Sequence, residues 1–243
     1  MNPKIEQLRE WISEADNIVF FGGAGVSTES GIPDFRSVDG LYNQKYKYPP
    51  ETIISRSFFC ENLHDFFEFY RDKLLHLNAK PNAAHFALAK LEEAGKLKAI
   101  VTQNIDGLHQ AAGSKNVIEI HGSVHRNYCL RCGVDHNAEY IKNLDGPPPC
   151  VKCGGLVKPD VVLYEEALSR DLMGKSKAAI AAADMLIVGG TSLSVYPANN
   201  FVDYYDGHKL VLINTEPTHL DARADLLFQE RIGEVLGKAV EYF

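Results

Sequence analysis

The chain alternates short, wholly apolar runs with stretches of helical periodicity. Ile5, Leu8, Ile12 and Ala15 recur at helical spacing behind Asn2, which suits a cap, and Pro3, which suits a first turn. Asp16-Asn17 end that helix, and Ile18-Val19-Phe20-Phe21 follows without polar alternation, the pattern of a strand covered on both faces. Ala99-Ile100-Val101, Met185-Leu186-Ile187-Val188 and Leu210-Val211-Leu212-Ile213 repeat it. Between these runs lie helical patterns, such as Ala84, Leu88 and Leu91 closed by Gly95, and the Ala-rich stretch from Ala178 to Ala183. Strands alternating with helices predict an α/β fold with a parallel sheet covered on both faces. Each apolar run ends in Gly, Asn, Thr or Ser, and that edge of an open α/β sheet is where ligands bind.

Two stretches break the alternation. Residues 37–80 are aromatic and helical, with Phe58, Phe59, Phe66, Phe67, Phe69 and Tyr70. Residues 125–156 carry Pro147-Pro148-Pro149, four cysteines and few large apolar side chains, so they need a metal to hold them. The cysteines stand as Cys129-x2-Cys132 and Cys150-x2-Cys153 with seventeen residues between the pairs, inside the spacing window of a zinc site. The fifth, Cys60, lies in the apolar run SFFCENL and is expected to be a buried small hydrophobe. Both stretches read as insertions that form a small domain. The expected division places residues 1–36, 81–124 and 157–243 in the sheet domain and residues 37–80 and 125–156 in the small one.

Composition narrows the classes. The 243 residues include 25 Lys and Arg against 32 Asp and Glu, a net charge of -7, which argues against a protein built on nucleic acid or anionic membrane. No apolar run approaches the ~20 residues of a spanning helix, and MNPKIEQLRE has no signal-peptide core. A cytoplasmic protein is the expectation.

Five polar constellations sit at the strand ends. Gly23-Ala24-Gly25 lets backbone N–H groups approach a phosphate, although Thr28 stands in place of the third glycine of a dinucleotide fingerprint. Ser30-Gly31-Ile32-Pro33-Asp34-Phe35-Arg36 suits a loop that covers a ligand. Thr102-Gln103-Asn104-Ile105-Asp106 emerges where the Ile100-Val101 strand ends, and His121 follows Val117-Ile118-Glu119-Ile120. Gly190-Thr191-Ser192 and Asn214-Thr215-Glu216 offer hydroxyl and amide groups for phosphate or ribose, or serve as ordinary turns.

In their order, GAGVSTESGIPDFR, TQNIDGLH, the His-Gly pair, the two Cys-x2-Cys pairs, KPDVVLYEE and GTSLSVYP resemble the sirtuin family. The resemblance runs from about residue 18 to the C-terminus, in the compact form of bacterial members. It implies a Rossmann-like, doubly wound parallel sheet with a small zinc-ribbon and helical domain. It also implies an NAD-dependent protein lysine deacetylase acting, as a monomer, on acetylated-lysine proteins. In that chemistry the acyl oxygen attacks the ribose carbon as nicotinamide leaves, and the acyl group ends on ADP-ribose. Carried onto this sequence, Gly23, Ala24, Thr28, Asp34, Phe35, Arg36, Gln103, Ile105 and Asp106 match NAD-holding positions. Ile105 and Asp106 would line the nicotinamide pocket under Phe35, and Asn104 would help order the ribose. Ser192, Asn214 and Ile232 match the adenosine end, and Gly190 and Thr191 are expected to bind the cofactor beside them. His121 matches the general base, a task that suits an imidazole, and Val162 the carbonyl that receives the acyl-lysine N–H. The extended peptide is expected to add a strand between the Val162 strand and Leu193–Tyr196. Four thiolates fill a tetrahedral zinc, so the metal would be structural, although an iron-bearing four-cysteine site has the same spacing.

The sequence departs from the family pattern at Gly22, where a hydroxyl residue is commoner, at Lys158, where Arg is usual, and at Glu165, where Gly is usual. Tyr70 and Lys73 sit where desuccinylating members carry Tyr-x-x-Arg, and an ammonium lacks the bidentate fork of a guanidinium. Two other classes fit the sequence less well. A hydride-transferring oxidoreductase fits poorly with Thr28 and the missing ribose acid, and a nucleic-acid-binding ribbon fits poorly with the mixed charges of residues 125–156.

Overall fold

In the computed structural model, which describes residues 2–37 and 39–243, six strands form one parallel sheet. Met1 and Val38 belong to two of the expected domain segments and lie outside the described residues. The chain runs α1 (Pro3–Glu14), β1 (Ile18–Gly22), α2 (Pro50–Ile53), α3 (Arg56–Glu61), α4 (Leu63–Phe69), α5 (Ala83–Glu93), β2 (Leu97–Thr102), α6 (Leu108–Ala111), β3 (Val117–Glu119) and β4 (Gly122–Cys129). It continues through β5 (Asp135–His136), α7 (Ala138–Lys142), β6 (Val157–Val161), α8 (Arg170–Ala181), β7 (Met185–Gly189), β8 (Leu210–Ile213), β9 (Leu226–Phe228) and α9 (Ile232–Ala239).

The large sheet has the order β3-β2-β1-β7-β8-β9. All its strands run parallel, and the order of their connection reverses between β1 and β7, the switch point at which doubly wound sheets bind ligands. The four apolar runs become β1, β2, β7 and β8, and β1, β7 and β8 are buried along their whole length. On one face α1, α5 and α9 pack through Leu8, Ile12, Leu88, Leu91, Val235 and Leu236. On the other, Ile180 of α8 and Phe201 and Val202 of a 3-10 segment cover Phe21, Leu186 and Val188. The Asn2 side chain caps α1 by accepting the Lys4 N–H at 3.0 Å.

A second, three-stranded antiparallel sheet has the order β5-β4-β6. Its core joins Val124, Val157 and Val161 to the aromatic cluster of α3 and α4, in which Phe59 meets Phe66 edge to face at 4.9 Å. This sheet therefore draws on Gly122–Val124 and Val157–Val161 as well as on residues 125–156. The Arg126 guanidinium joins the two sheets by pairing with Glu119 at 2.6 Å and with Asp160 at 2.7 Å.

Three local expectations are corrected. Cys60 is exposed, because α3 turns Phe58 and Phe59 inward and leaves the next residue facing solvent. The chain after Gly23 forms two short 3-10 turns, Ala24–Val26 and Thr28–Ser30, rather than opening an α-helix. Neither Val162 nor Leu193–Tyr196 is regular strand, and Leu193 adopts the left-handed region at φ 54°.

Candidate active site

At the switch point Gly22 of β1 pairs with Gly189 of β7, and both chains leave the sheet as bare backbone. Gly25 donates its N–H to the Gly190 carbonyl at 2.8 Å. A Cβ on Gly25 would lie 2.8 Å from Gly190 Cα, and one on Gly190, at φ +60°, would strike Val26 N. The two loops can approach this closely because neither carries a side chain at the crossing. Gly22 has its own cause: a Cβ there would lie 2.5 Å from the Phe20 ring, which fills the space a hydroxyl residue would need.

A cleft of about 640 Å³ opens above this crossing. It gathers the residues of the GAG turn and the following loop: Gly23, Ala24, Thr28, Asp34, Phe35 and Arg36. From the ends of β2 and β3 come Gln103, Asn104, Ile105, Asp106 and His121, and from the end of β6 comes Val162. Gly190, Thr191, Ser192, Asn214 and Ile232 complete the far end. Residues up to 209 positions apart thus line one cavity.

Hydrogen bonds fix several of these groups. His121 is half-buried, and its Nδ1 lies 3.0 Å from the Gln103 carbonyl. A carbonyl can only accept, so Nδ1 carries the proton and Nε2 keeps its lone pair. Burial lowers the His121 pKa below the ordinary imidazole value, against the Gln103 carbonyl, which raises it. The ring is neutral at pH 7 and able to accept a proton.

Sequence reasoning missed the group at the floor of the cleft. Ser27, 1% exposed, donates its hydroxyl to Asp106 Oδ2 at 2.6 Å and accepts the Asn104 amide at 3.1 Å. Asp106 Oδ1 meanwhile accepts the Leu108 N–H at 2.9 Å, so this carboxylate also caps α6. Asn82, the N-cap of α5, reaches across to the Val26 carbonyl at 2.8 Å and Ser30 Oγ at 2.9 Å. Asp34 accepts the N–H groups of Arg36 and Ser37 at 3.0 and 2.8 Å, holding its own loop in a turn. No periodicity or spacing marks Ser27 or Asn82, because their partners are distant in sequence.

The far end is tied in the same way. Gln103 Nε2 donates to Thr191 Oγ1 at 2.9 Å, and Asn214 Oδ1 accepts the Thr191 N–H at 2.9 Å. Asn214 Nδ2 is buried without a partner among the described residues. A buried donor facing a cleft, beside a cradle of bare glycine backbone, fits a polar, phosphate-bearing ligand such as a dinucleotide.

The ribbon cysteines converge. Cys129 and Cys153 Sγ lie 3.5 Å apart and Cys132 and Cys150 Sγ 3.7 Å apart, with all four within 4.8 Å of one another. Tetrahedral zinc with bonds of about 2.3 Å places its sulfurs about 3.8 Å apart, so these thiols can hold one zinc ion. Arg131 N–H approaches Cys129 Sγ at 3.3 Å and His136 Nε2 lies 3.4 Å from Cys150 Sγ, contacts that suit thiolates. A Cβ on Gly155 would crowd Cys129 Sγ at 3.1 Å, so glycine leaves the cluster its room. Arg126 is committed to its two ion pairs, and Arg131 donates to the Cys153 carbonyl at 2.9 Å.

The departures from the family pattern are also explained. Glu165 holds the left-handed region at φ 72°, where glycine is at ease, while its carboxylate accepts the Ser57 N–H at 2.9 Å and hydroxyl at 2.6 Å. Buried Lys158 donates to the Val161 carbonyl at 3.0 Å and pairs with Glu166 at 3.2 Å, anchoring the loop beyond β6.

Sheet order, switch-point cleft and four-thiol cluster together define a Rossmann-like α/β protein with a metal-held ribbon. The Sir2 family profile matches residues 23–197. An NAD-dependent protein deacetylase of Clostridium acetobutylicum is 60% identical over 236 residues, covering 96% of each chain. That of Clostridium perfringens is 58% identical over 99% of this chain and 100% of its own. Among solved structures, a Sir2 homolog–NAD complex superposes with a TM-score of 0.87 at 38% identity, over 98% of this chain and 93% of the other. A Sir2–p53 peptide–NAD+ complex gives 0.85 at 37%, over 98% and 97%. The chain belongs to the Sir2 family.

Proposed function

We propose that this chain is an NAD-dependent protein lysine deacetylase that releases nicotinamide and O-acetyl-ADP-ribose. The observation that carries the reading is His121: its Nδ1 proton is fixed on the Gln103 carbonyl, and it lines the same cleft as Asp106, Asn104 and Val162. When bound, NAD supplies a ribose carbon activated by a neutral leaving group. Gly23, Ala24, Thr28, Arg36, Gln103, Gly190 and Thr191 would hold its phosphates and riboses, and Ser192, Asn214 and Ile232 its adenosine end. Asp106, oriented by Ser27 and backed by the Ile105 backbone, holds the nicotinamide carboxamide, while Asn104 orders the ribose. Phe35, on the loop that Asp34 shapes, excludes water from the reacting carbon. His121 Nε2 takes the proton from a ribose hydroxyl, and the Val162 carbonyl receives the acyl-lysine N–H. The four cysteines, none of which lines the cleft, would hold zinc as a structural ion.

The substrate class is acetylated lysine in proteins or peptides. Lys73 lines the cleft beside Tyr70 and Leu74, but its ammonium is paired with Asp72 at 2.9 Å and lies over Tyr46. An already paired ammonium offers little to an acidic acyl chain, which favours acetyl over succinyl. Among the described residues no helix is long and apolar enough to cross a membrane, and the reading takes the protein as a cytoplasmic monomer. A panel of acyl-lysine peptides, followed by nicotinamide release and product mass, tests the assignment. Acetyl peptides should turn over at least tenfold faster than succinyl peptides, and the reverse order would reject the acyl preference.

A further inference from the structure

Two loops of the cleft meet through a pair of phenols. Tyr42, in the 3-10 turn Leu41–Asn43, faces Tyr164 hydroxyl to hydroxyl at 2.7 Å, across 122 positions of sequence. On its own side Tyr42 is tied to the loop expected to cover the cofactor. Its ring meets Phe35 edge to face at 5.5 Å, the Arg36 guanidinium lies 5.2 Å from its centroid, and its N–H donates to the Phe35 carbonyl at 2.9 Å. Tyr164 is tied just as firmly to the peptide side. Its N–H donates to the Ile54 carbonyl and its carbonyl accepts the Arg56 N–H, each at 3.0 Å. Glu166, two residues on, accepts the Leu163 N–H at 2.9 Å, and Val162 donates to the His121 carbonyl at 3.0 Å. The segment from Val162 to Glu166 is therefore one braced unit, and Tyr164 cannot shift without it. Burial, then the bond to Tyr164, pushes the Tyr42 pKa well up, so the phenol stays protonated and able to bond across neutral pH.

We propose that Tyr42 and Tyr164 form a clasp through which peptide bound at Val162 and closure of Phe35 over the cofactor favour each other. Both are positioning residues: they act through Phe35 and Val162 rather than on reacting atoms. The clasp rests on the deacetylase reading. Its chemical use is economy of NAD, since a lid that closes best when peptide is seated limits nicotinamide loss to water.

The test is calorimetric titration of the full chain with a non-cleavable carbocyclic NAD analogue, with and without saturating acetyl-lysine peptide. Wild type should bind the analogue more tightly in the presence of peptide, and by reciprocity peptide more tightly in the presence of analogue. Tyr42→Phe and Tyr164→Phe each keep the ring and lose the bond. Each should cut that mutual tightening by about three- to tenfold, the range one neutral hydrogen bond is worth. The double variant should lose no more than either single one, with melting temperatures near wild type. Tightening left intact in both single variants, or absent from a wild type that binds both ligands, overturns the clasp alone. A wild type that binds neither ligand overturns the deacetylase reading and the clasp with it.

Discussion

Ser27 shows what a residue-level reading can and cannot reach. The carboxylate and amide it joins, Asp106 and Asn104, were legible as a polar burst at a strand end, but the hydroxyl between them lies 79 positions from Asp106 and leaves no mark in local pattern. Cys60 failed in the opposite way, since its apolar neighbours suggested burial and helix phase decided otherwise. Two further residues carry a pH prediction. His85 and His109 are fully buried with ring centroids 4.8 Å apart, and His85 Nδ1 accepts the Asn82 N–H at 3.2 Å. Burial lowers their pKa values to about 4 and about 3, with His85 lowering His109 further. Unfolded histidine titrates near 6.5, so below that pH the unfolded chain takes up protons that the folded chain refuses. Stability is unaffected by this pair above about pH 6.5 and falls with pH down to about 4, by at most about 2.7 kcal/mol per unit for two protons. Thermal melts from pH 7 to pH 5 should show the decline, with a shallower slope in His109→Asn. An unchanged slope in that variant would remove the pair from the account.

Among the elements, the wholly apolar runs of β1, β2, β7 and β8 and the strand end at β3 were read correctly, and β4 and β9 were not. β9 consists of Leu226-Leu227-Phe228 between Asp225 and Gln229, too few residues to declare a period. β4 mixes Ser123, His125, Arg126 and Asn127 with its apolar residues because it carries ion pairs to β3 and β6, and so it reads as loop. The turn after Gly23 stays 3-10 because Asn82 holds Val26 and Ser30 from outside, where a helix would use its own bonds. α9 gives the element-level prediction. No residue of its own caps it, and Glu29, from the turn Thr28–Ser30, accepts the Gly233 N–H at 2.8 Å. That bond sets Ile232 against the cleft. Glu29→Ala should cost about 1 kcal/mol of stability and weaken NAD binding about fivefold, whereas Glu29→Gln, which keeps an acceptor, should recover most of both. NAD titration and melting check this, and an unaltered affinity in Glu29→Ala would contradict it.

At the scale of the molecule, the parallel sheet and the four-cysteine insertion were legible because burial on both faces and paired thiols impose strong patterns. The second sheet was not, because its strands β4 and β6 come from either side of the ribbon and meet only in three dimensions. Cys129 and Cys150 belong to the same core as Phe66 and Val157, so a metal held by the four thiols would brace the whole small sheet. Chelation, or Cys129→Ser, should lower the melting temperature by on the order of 10 °C, with one zinc per chain found by metal analysis of the untreated protein. A melt indifferent to chelator in metal-free protein would refute the ribbon. The acidic charge of -7 fits a chain that recruits Lys-rich peptides better than one that tracks nucleic acid. The central claim, that the cleft couples nicotinamide loss to lysine deacetylation through His121, is tested most directly by nicotinamide release with and without acetyl-lysine peptide, in wild type and His121→Ala. The account predicts release that matches peptide deacetylated mole for mole and falls at least about a hundredfold in the variant. Release that proceeds equally without peptide, or at full rate in His121→Ala, would contradict it.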